Sequence, residues 1–484
     1  MRRFSGLVER VETGIKGLDE VIEGGFPKGS LILLAGEPGT GKTVFSTQFL
    51  AEGAELGEPG VYVSFAEAED TLIKNLSRHL DVDLAKLEAE GKLKVLDFTT
   101  MREEAVSSIL EMILREVEAL KAERLVIDSF SAMAQAFKEP IDVRIVVHTV
   151  LGRIARRMGC TTVMIEEIPV GEARIGLGME EFVADGVLRL RAGELDGRLF
   201  RDLEVLKLRG TKLGEHRLAF TLEKGFKAFP PFKPKPIEKP RRFQPILDTA
   251  GKYSTGSKDL DKLLDGGFDN GEAVLLEIGE RISIGDYHLV LVPMMLNFIA
   301  QGRGILLIPS PGVDAEKARA VGLSYGLTDD EINRLLRVCE PRSLSGGGGE
   351  GKPYVVQFDL EDPWTAYSKY VGLEEELRQA TGQPVICVTS VNTLLNYFDE
   401  ATCEKIFGQD AARIRKHKSL GILVVKPGHE KLTMRLSSIA TTHLKLVREH
   451  GCLILYAVKP RTGLYAVEVD YSKGYPLPKL TPIT

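Results

Sequence analysis

The sequence is poor in the features that mark secreted, zinc-bound or membrane proteins. Only five cysteines occur in 484 residues: Cys160, Cys339, Cys387, Cys403 and Cys452. None forms a C-x-x-C pair, so a zinc or dithiol motif is absent and reduced thiols in a cytoplasmic chain are expected. The start, Met1-Arg2-Arg3-Phe4-Ser5-Gly6, lacks the apolar core of a signal peptide. The longest apolar stretch, around Leu289 to Ala300, is too short to span a bilayer and is interrupted by Pro293 and Asn297. No basic excess is present: the formal net charge is -6, which leaves only a local patch as a route to nucleic acid. The eight histidines form no cluster with ligand spacing, and His79 and His148 fall on predicted helices as surface or core residues. With 43% hydrophobic residues, the composition is that of an ordinary soluble globular chain.

What the chain does have is a repeat. Thr13-Gly14-Ile15-Lys16-Gly17-Leu18-Asp19 is followed by Gly24-Gly25-Phe26 and Gly29. The same pattern returns as Thr255-Gly256-Ser257-Lys258-Asp259-Leu260-Asp261, then Gly266-Gly267-Phe268 and Gly271. A duplication in a chain of this length predicts two domains, each large enough for its own core. The proline-dense segment Phe229 to Pro240 excludes helix and paired strand and reads as an extended linker. The expected organisation is a first domain over 1–229, a linker over 230–243 and a second domain over 244–484.

Within the first domain, short apolar runs alternate with helical periodicity. Leu31 to Ala35, Val61 to Phe65, Lys94 to Phe98, Leu125 to Asp128 and Thr161 to Ile165 read as strands. Val44 to Leu56 and Glu103 to Ala122 read as helices. Such alternation predicts an α/β fold with a mainly parallel sheet covered on both faces. Val187 to Arg191, Leu203 to Leu208 and Leu218 to Leu222 read as a meander at the sheet edge. The second domain alternates likewise, through Ala273 to Ile278, Gly304 to Ile308, Tyr354 to Phe358, Val385 to Val388 and Ile422 to Val425.

The first strand leads into Gly36-Glu37-Pro38-Gly39-Thr40-Gly41-Lys42-Thr43, a full phosphate-loop pattern between strand and helix. Glycines let backbone N–H groups curl around phosphate oxygens at a helix start. Lys42 is expected at the β- and γ-phosphates of ATP and Thr43 at Mg²⁺. Asp128 ends an apolar strand, the place of a Mg²⁺-orienting carboxylate in such enzymes; its plain alternative is a turn aspartate.

The first half resembles the KaiC-like branch of the RecA superfamily. The resemblance rests on Thr13-Gly14-x-x-Gly17-Leu18-Asp19, Gly24-Gly25-Phe26-Pro27-x-Gly29 and Val61-Tyr62-Val63-Ser64-Phe65. It continues through Thr161-Thr162-Val163-Met164, Glu180-Glu181-Phe182-Val183-Ala184-Asp185 and Leu206-Lys207-Leu208-Arg209-Gly210-Thr211. It implies two RecA-like P-loop domains and a homo-oligomer, such as a hexameric ring, with ATP at subunit interfaces. It also implies that Lys207 and Arg209 reach a neighbour's γ-phosphate; their plain alternative is a basic strand face. The family usually carries two consecutive glutamates after the second strand, the first polarising the attacking water. Here Ala66 takes the first position in Phe65-Ala66-Glu67-Ala68-Glu69, leaving Glu67 or Glu69 as substitutes, so ATP hydrolysis is expected to be slow. As a two-unit archaeal type with a decayed second half, the chain also resembles the gas-vesicle regulatory GvpD proteins.

The second copy lacks the chemistry. Its loop reads Gly279-Glu280-Arg281-Ile282-Ser283-Ile284-Gly285-Asp286, without lysine or hydroxyl at the expected places, and Thr389 is read opposite Asp128. Lys459-Pro460-Arg461 stands roughly where Lys207-Leu208-Arg209 stands. Gly346 to Lys352 imitates loop spacing, but no strand enters it and Pro353 replaces the hydroxyl. The expected protein is a cytoplasmic, ATP- and Mg²⁺-binding ATPase acting as an oligomeric regulatory switch with a regulatory protein partner. The alternatives are a DNA-associated RecA/RadA-type ATPase and a GvpD-like transcription regulator.

Overall fold

The computed structural model describes residues 8–100, 106–134, 151–172, 175, 183–235, 241–341 and 351–484. His148, Glu180 to Phe182, the last five residues of the proline-dense segment (236–240) and most of the Gly346 to Lys352 stretch lie outside these residues. Two compact units are present, one formed by Met1–Pro231, His450–Cys452 and Pro482–Thr484, the other by Phe232–Glu449 and Leu453–Thr481.

The first unit opens with β1 (Arg10–Val11), α1 (Lys16–Val21) and β2 (Phe26–Pro27), where β1 and β2 pair antiparallel. Its main strands are β3 (Leu31–Gly36), β4 (Gly60–Ser64), β5 (Leu93–Asp97), β6 (Arg124–Asp128), β7 (Thr161–Glu167), β8 (Gly186–Leu195), β9 (Arg198–Leu208), β10 (Arg217–Thr221) and β11 (Lys227–Phe229). They form one sheet in the order β11-β10-β9-β8-β3-β7-β6-β4-β5. From β8 to β5 all pairings are parallel, and the β8–β9, β9–β10 and β10–β11 pairings are antiparallel. The apolar runs explain this. Every residue of β3, β4 and β6 is buried, as a strand covered on both faces requires. Alternate residues serve opposite cores: Ile32 and Leu34 join one cluster, Leu31, Leu33 and Ala35 the other.

The second unit repeats the plan. It comprises β12 (Lys252–Tyr253), β13 (Phe268–Asp269), β14 (Ala273–Ile278), β15 (Ile305–Ile308), β16 (Leu336–Pro341), β17 (Val355–Phe358), β18 (Ile386–Ser390), β19 (Leu420–Val425), β20 (Thr442–Glu449), β21 (Cys452–Lys459), β22 (Tyr465–Asp470) and β23 (Leu477–Pro482). Its sheet order, β17-β16-β15-β18-β19-β14-β20-β21-β22-β23, matches the first with one added edge strand, β17. The repeated sequence motif has a common physical task. Asp19 accepts hydrogen bonds from the Thr13 N–H and hydroxyl, and Asp261 accepts the same pair from Thr255. Gly25 and Gly267 both have positive φ, and a Cβ would lie 2.1 Å from Val11 O in one and 2.2 Å from Tyr253 O in the other. Only glycine fits either place.

Candidate nucleotide-binding site

The loop between β3 and α2 (Lys42–Leu56) is built on glycine. Gly39 and Gly41 have positive φ, and Gly41 caps α2 in the left-handed region. A Cβ on Gly36 would stand 2.7 Å from Thr40 Oγ1. The backbone is thereby left uncovered at the N-terminus of a fifteen-residue helix, where N–H groups and the helix dipole favour an anion.

Lys42 is the first residue of α2 and only 6% exposed. Its Nζ donates to Gly36 O and Glu37 O, both at 2.9 Å. Burial lowers its pKa, while the carboxylates of Glu167, Asp128 and Glu166 oppose that shift. Thr43 Oγ1 donates to Asp128 Oδ2 at 3.0 Å, and the Tyr62 hydroxyl donates to the same oxygen. Asp128 is 8% exposed; burial raises its pKa, and the Tyr62 and Thr43 hydrogen bonds and the Lys42 charge resist that rise. A hydroxyl and a carboxylate side by side at the loop offer the hard oxygen donors that Mg²⁺ takes. A buried ammonium held only by loop carbonyls suits phosphate oxygens, so these residues fit MgATP.

The segment after β4 starts beside this cluster, where Phe65 N–H donates to Asp128 O at 2.7 Å. Ala66 and Glu67 are exposed, and Glu67 N–H donates to Ser64 Oγ at 3.2 Å. The Glu67 charge contributes to the high pKa of Tyr62, whereas Glu69 sits among Glu88 and Lys94. Of the two substitutes, Glu67 is the one whose charge acts on Tyr62.

Lys207 and Arg209 lie elsewhere. Lys207 Nζ donates to Ala184 O at 2.7 Å, and Arg209 pairs with Asp185 at 3.2 Å. Asp185 in turn accepts from Leu31 N–H, at the start of β3. The loop follows the other end of β3, roughly 17 Å away at ~3.3 Å per residue. Neither basic group faces its own loop.

Three contributors were not read from the sequence: Tyr62, Glu166 and Glu167. The two glutamates end β7, a buried strand directly beside β3, just as Asp128 ends β6. That shared position was the available signal. Tyr62 offered none, because its partner lies 66 residues away.

In the second unit the loop is occupied by its own side chains. The helix Ile284–Ile299 starts with a capping box: Ser283 Oγ accepts from Asp286 N–H, and Asp286 accepts from Ser283 N–H. Arg448 holds Asp286 at 2.7 Å. A carboxylate thus sits where a phosphate would need positive field. Counting from the caps, Gly41 and Ser283, puts Ile284 and Gly285 opposite Lys42 and Thr43, one residue before the sequence alignment. The strand registers likewise correct the position opposite Asp128. Ile127 pairs with Met164, Thr389 with Leu423, and Met164 and Leu423 face Leu33 and Leu275, so Ser390 rather than Thr389 matches Asp128. Lys459 Nζ donates to Ala440 O at 2.8 Å, repeating the Lys207–Ala184 contact.

Comparison with known proteins follows the same division. The sequence model of the KaiC ATPase family matches residues 11–228, and that of GvpD basic region 2 matches residues 242–321. A UPF0273 protein of Thermotoga maritima is 34% identical over 239 residues, covering 46% of this chain and 97% of that protein. GvpD1 of Halobacterium salinarum is 26% identical over 520 residues, covering 94% of this chain and 93% of its own length. A KaiC-like protein of Pyrococcus horikoshii, known from a crystal structure, is 39% identical, with 46% of this chain and 100% of that chain covered and a TM-score of 0.42.

Proposed function

The first unit of this chain belongs to the KaiC-like ATPase family, and on that premise we propose that it is a slow Mg-dependent ATPase whose nucleotide state sets an oligomeric regulatory switch. The observation that carries this reading is the convergence of Lys42, Thr43 and Asp128 on one glycine-lined loop. Lys42 exchanges its carbonyl partners for β- and γ-phosphate oxygens. Thr43 and Asp128 are the residues that would hold Mg²⁺, which neutralises phosphate charge when bound. Glu67 orients the attacking water in place of a glutamate at Ala66, less effectively, so ATP is held longer than it is turned over.

Lys207 and Arg209 complete the site of a neighbouring copy. Their placement at the far end of β3 supports this, because they have no path to their own loop. The assembly is a homo-oligomer, as a hexameric ring, in the cytoplasm. The second unit, with a carboxylate in its dead loop, serves assembly or a regulatory protein partner. Its likeness to GvpD1 along nearly the whole chain favours such a regulator over a DNA-associated recombinase-type ATPase. Among the described residues no helix is long and apolar enough to cross a membrane.

The test is native mass measurement with and without MgATP, together with phosphate release. A nucleotide-dependent change of assembly and slow release abolished by Lys42→Ala are expected. An assembly indifferent to MgATP would defeat the switch reading.

A further inference from the structure

Beneath the helix Ile284–Ile299 of the second unit lies a cavity of about 70 Å³, partly open to solvent. Its walls are almost wholly apolar, with Leu307, Val388 and Val424 from three adjacent strands and Leu291 from the helix. The strand registers explain its origin. They place Leu307 opposite Tyr62 of the first unit and Ser390 opposite Asp128. In the first unit the Tyr62 ring is buried in the core, and its hydroxyl reaches Asp128. Leucine and serine are smaller than tyrosine and aspartate, which leaves space at these two positions of the second unit.

Two hydroxyls line the cavity wall, Ser390 Oγ and Tyr287 Oη, on residues only 1% exposed. Ser390 Oγ has no hydrogen-bond partner among the described residues, and Ser310 is the hydrogen-bonding neighbour of the Tyr287 hydroxyl. Buried hydroxyls are rarely left as that of Ser390 is, because they lose their water without compensation. Positive charge is close by. Lys426 Nζ lies 5.4 Å from the Tyr287 ring, and Lys426 and Lys317 both act on His288, which lines the cavity. Burial first, then these two lysines, pushes the His288 pKa down to about 4, so the imidazole is neutral at pH 7. Neither lysine makes an ion pair among the described residues; Lys317 Nζ contacts only Gly312 O, at 3.4 Å.

We propose that this cavity binds a small apolar carboxylate. Its hydrocarbon packs against Leu291, Leu307 and Val388, and its carboxylate accepts hydrogen bonds from Tyr287 and Ser390 in the field of Lys426. The lining is that of small-molecule sites, which combine apolar walls with a few placed polar groups. The site requires nothing of the ATP reading, since it lies wholly in the second unit.

The full-length protein titrated calorimetrically with octanoate, and with 1-octanol as the neutral counterpart, tests this. One octanoate per chain is expected, with 1-octanol about tenfold weaker for want of charge, as is Ser390→Ala for want of a donor. Leu307→Phe refills the space and should abolish octanoate binding while MgATP still binds. If that variant loses its melting transition, Val321→Phe fills the cavity from the opposite wall and carries the same expectation. No saturable binding to the wild type, or unchanged binding in the folded, filled variant, overturns the proposal.

Discussion

Thr43 donates its hydroxyl to Asp128 at 3.0 Å, tying the first turn of α2 to the last residue of β6. The contact joins residues 85 apart in the chain and brings together the hydroxyl and carboxylate that a nucleotide-bound Mg²⁺ requires. In the second unit the matching positions are Gly285 and Ser390, and neither carries a carboxylate.

MgATP should therefore bind once per chain. Calorimetric titration is expected to give a stoichiometry near one, and Lys42→Ala to abolish the signal. Asp128→Asn keeps a partner for Thr43 while removing the charge, so it should weaken MgATP far more than Mg-free ATP. Two equivalent sites would mean that the capping box of Ser283 and Asp286 does not block the second loop.

Catalysis should need a neighbouring copy. Lys42→Ala protein cannot bind ATP, and Arg209→Ala protein cannot supply the basic group. When the two are mixed, some interfaces pair an intact site with an intact arginine, and activity should partly return. Verified mixed oligomers that stay inactive would remove the trans role of Arg209.

Turnover should be limited at Ala66. An alanine offers the water neither charge nor hydrogen bond, and general-base help is worth about 10²–10⁴-fold. Ala66→Glu is expected to raise the turnover rate by roughly tenfold or more with little change in ATP affinity. Should the rate stay unchanged while Glu67→Gln abolishes it, Glu67 already performs the task in full.

Asp19 should make the fold sensitive to mild acid in an uncommon direction. Burial is the largest influence on its carboxyl and raises its pKa from 3.8 to about 6, against the hydrogen bonds from Thr13. The folded state thus holds this proton more tightly than the unfolded state. Its contribution is fully present below pH 3.8 and is lost as pH rises through about 6. The side-chain amide introduced by Asp19→Asn would still accept from Thr13 but does not titrate. Denaturant melts of wild type and Asp19→Asn should diverge in that window, with the wild type losing ground as pH rises. Parallel curves across the window would contradict the raised pKa.

The strand–loop–helix around Lys42 was legible because each part acts locally: a buried run, glycines with positive φ, then a helix start. The repeat was legible for the same reason, since Thr13, Asp19 and Gly25 make close contacts that few other residues tolerate, and Thr255, Asp261 and Gly267 repeat them. The α/β class followed from alternating buried runs, and the sheets have that form. Strand ends shifted by a residue or more, as in β7, which runs on to Glu167, because pairing with β3 extends it past the apolar core.

By itself, then, the sequence determined the duplicated α/β plan, the phosphate loop and the loss of its lysine in the second copy. Those properties depend on residues close together in the chain. Tertiary structure alone decided that Tyr62 shares Asp128 with Thr43, that the charges of Glu166 and Glu167 act on Lys42, and that Ser390 takes the place of Asp128. It also decided that Lys207 and Arg209 stand at the far end of β3 from their own loop. Each of these depends on which strands become neighbours and in what register, and a one-residue change of register moves a side chain to the opposite face.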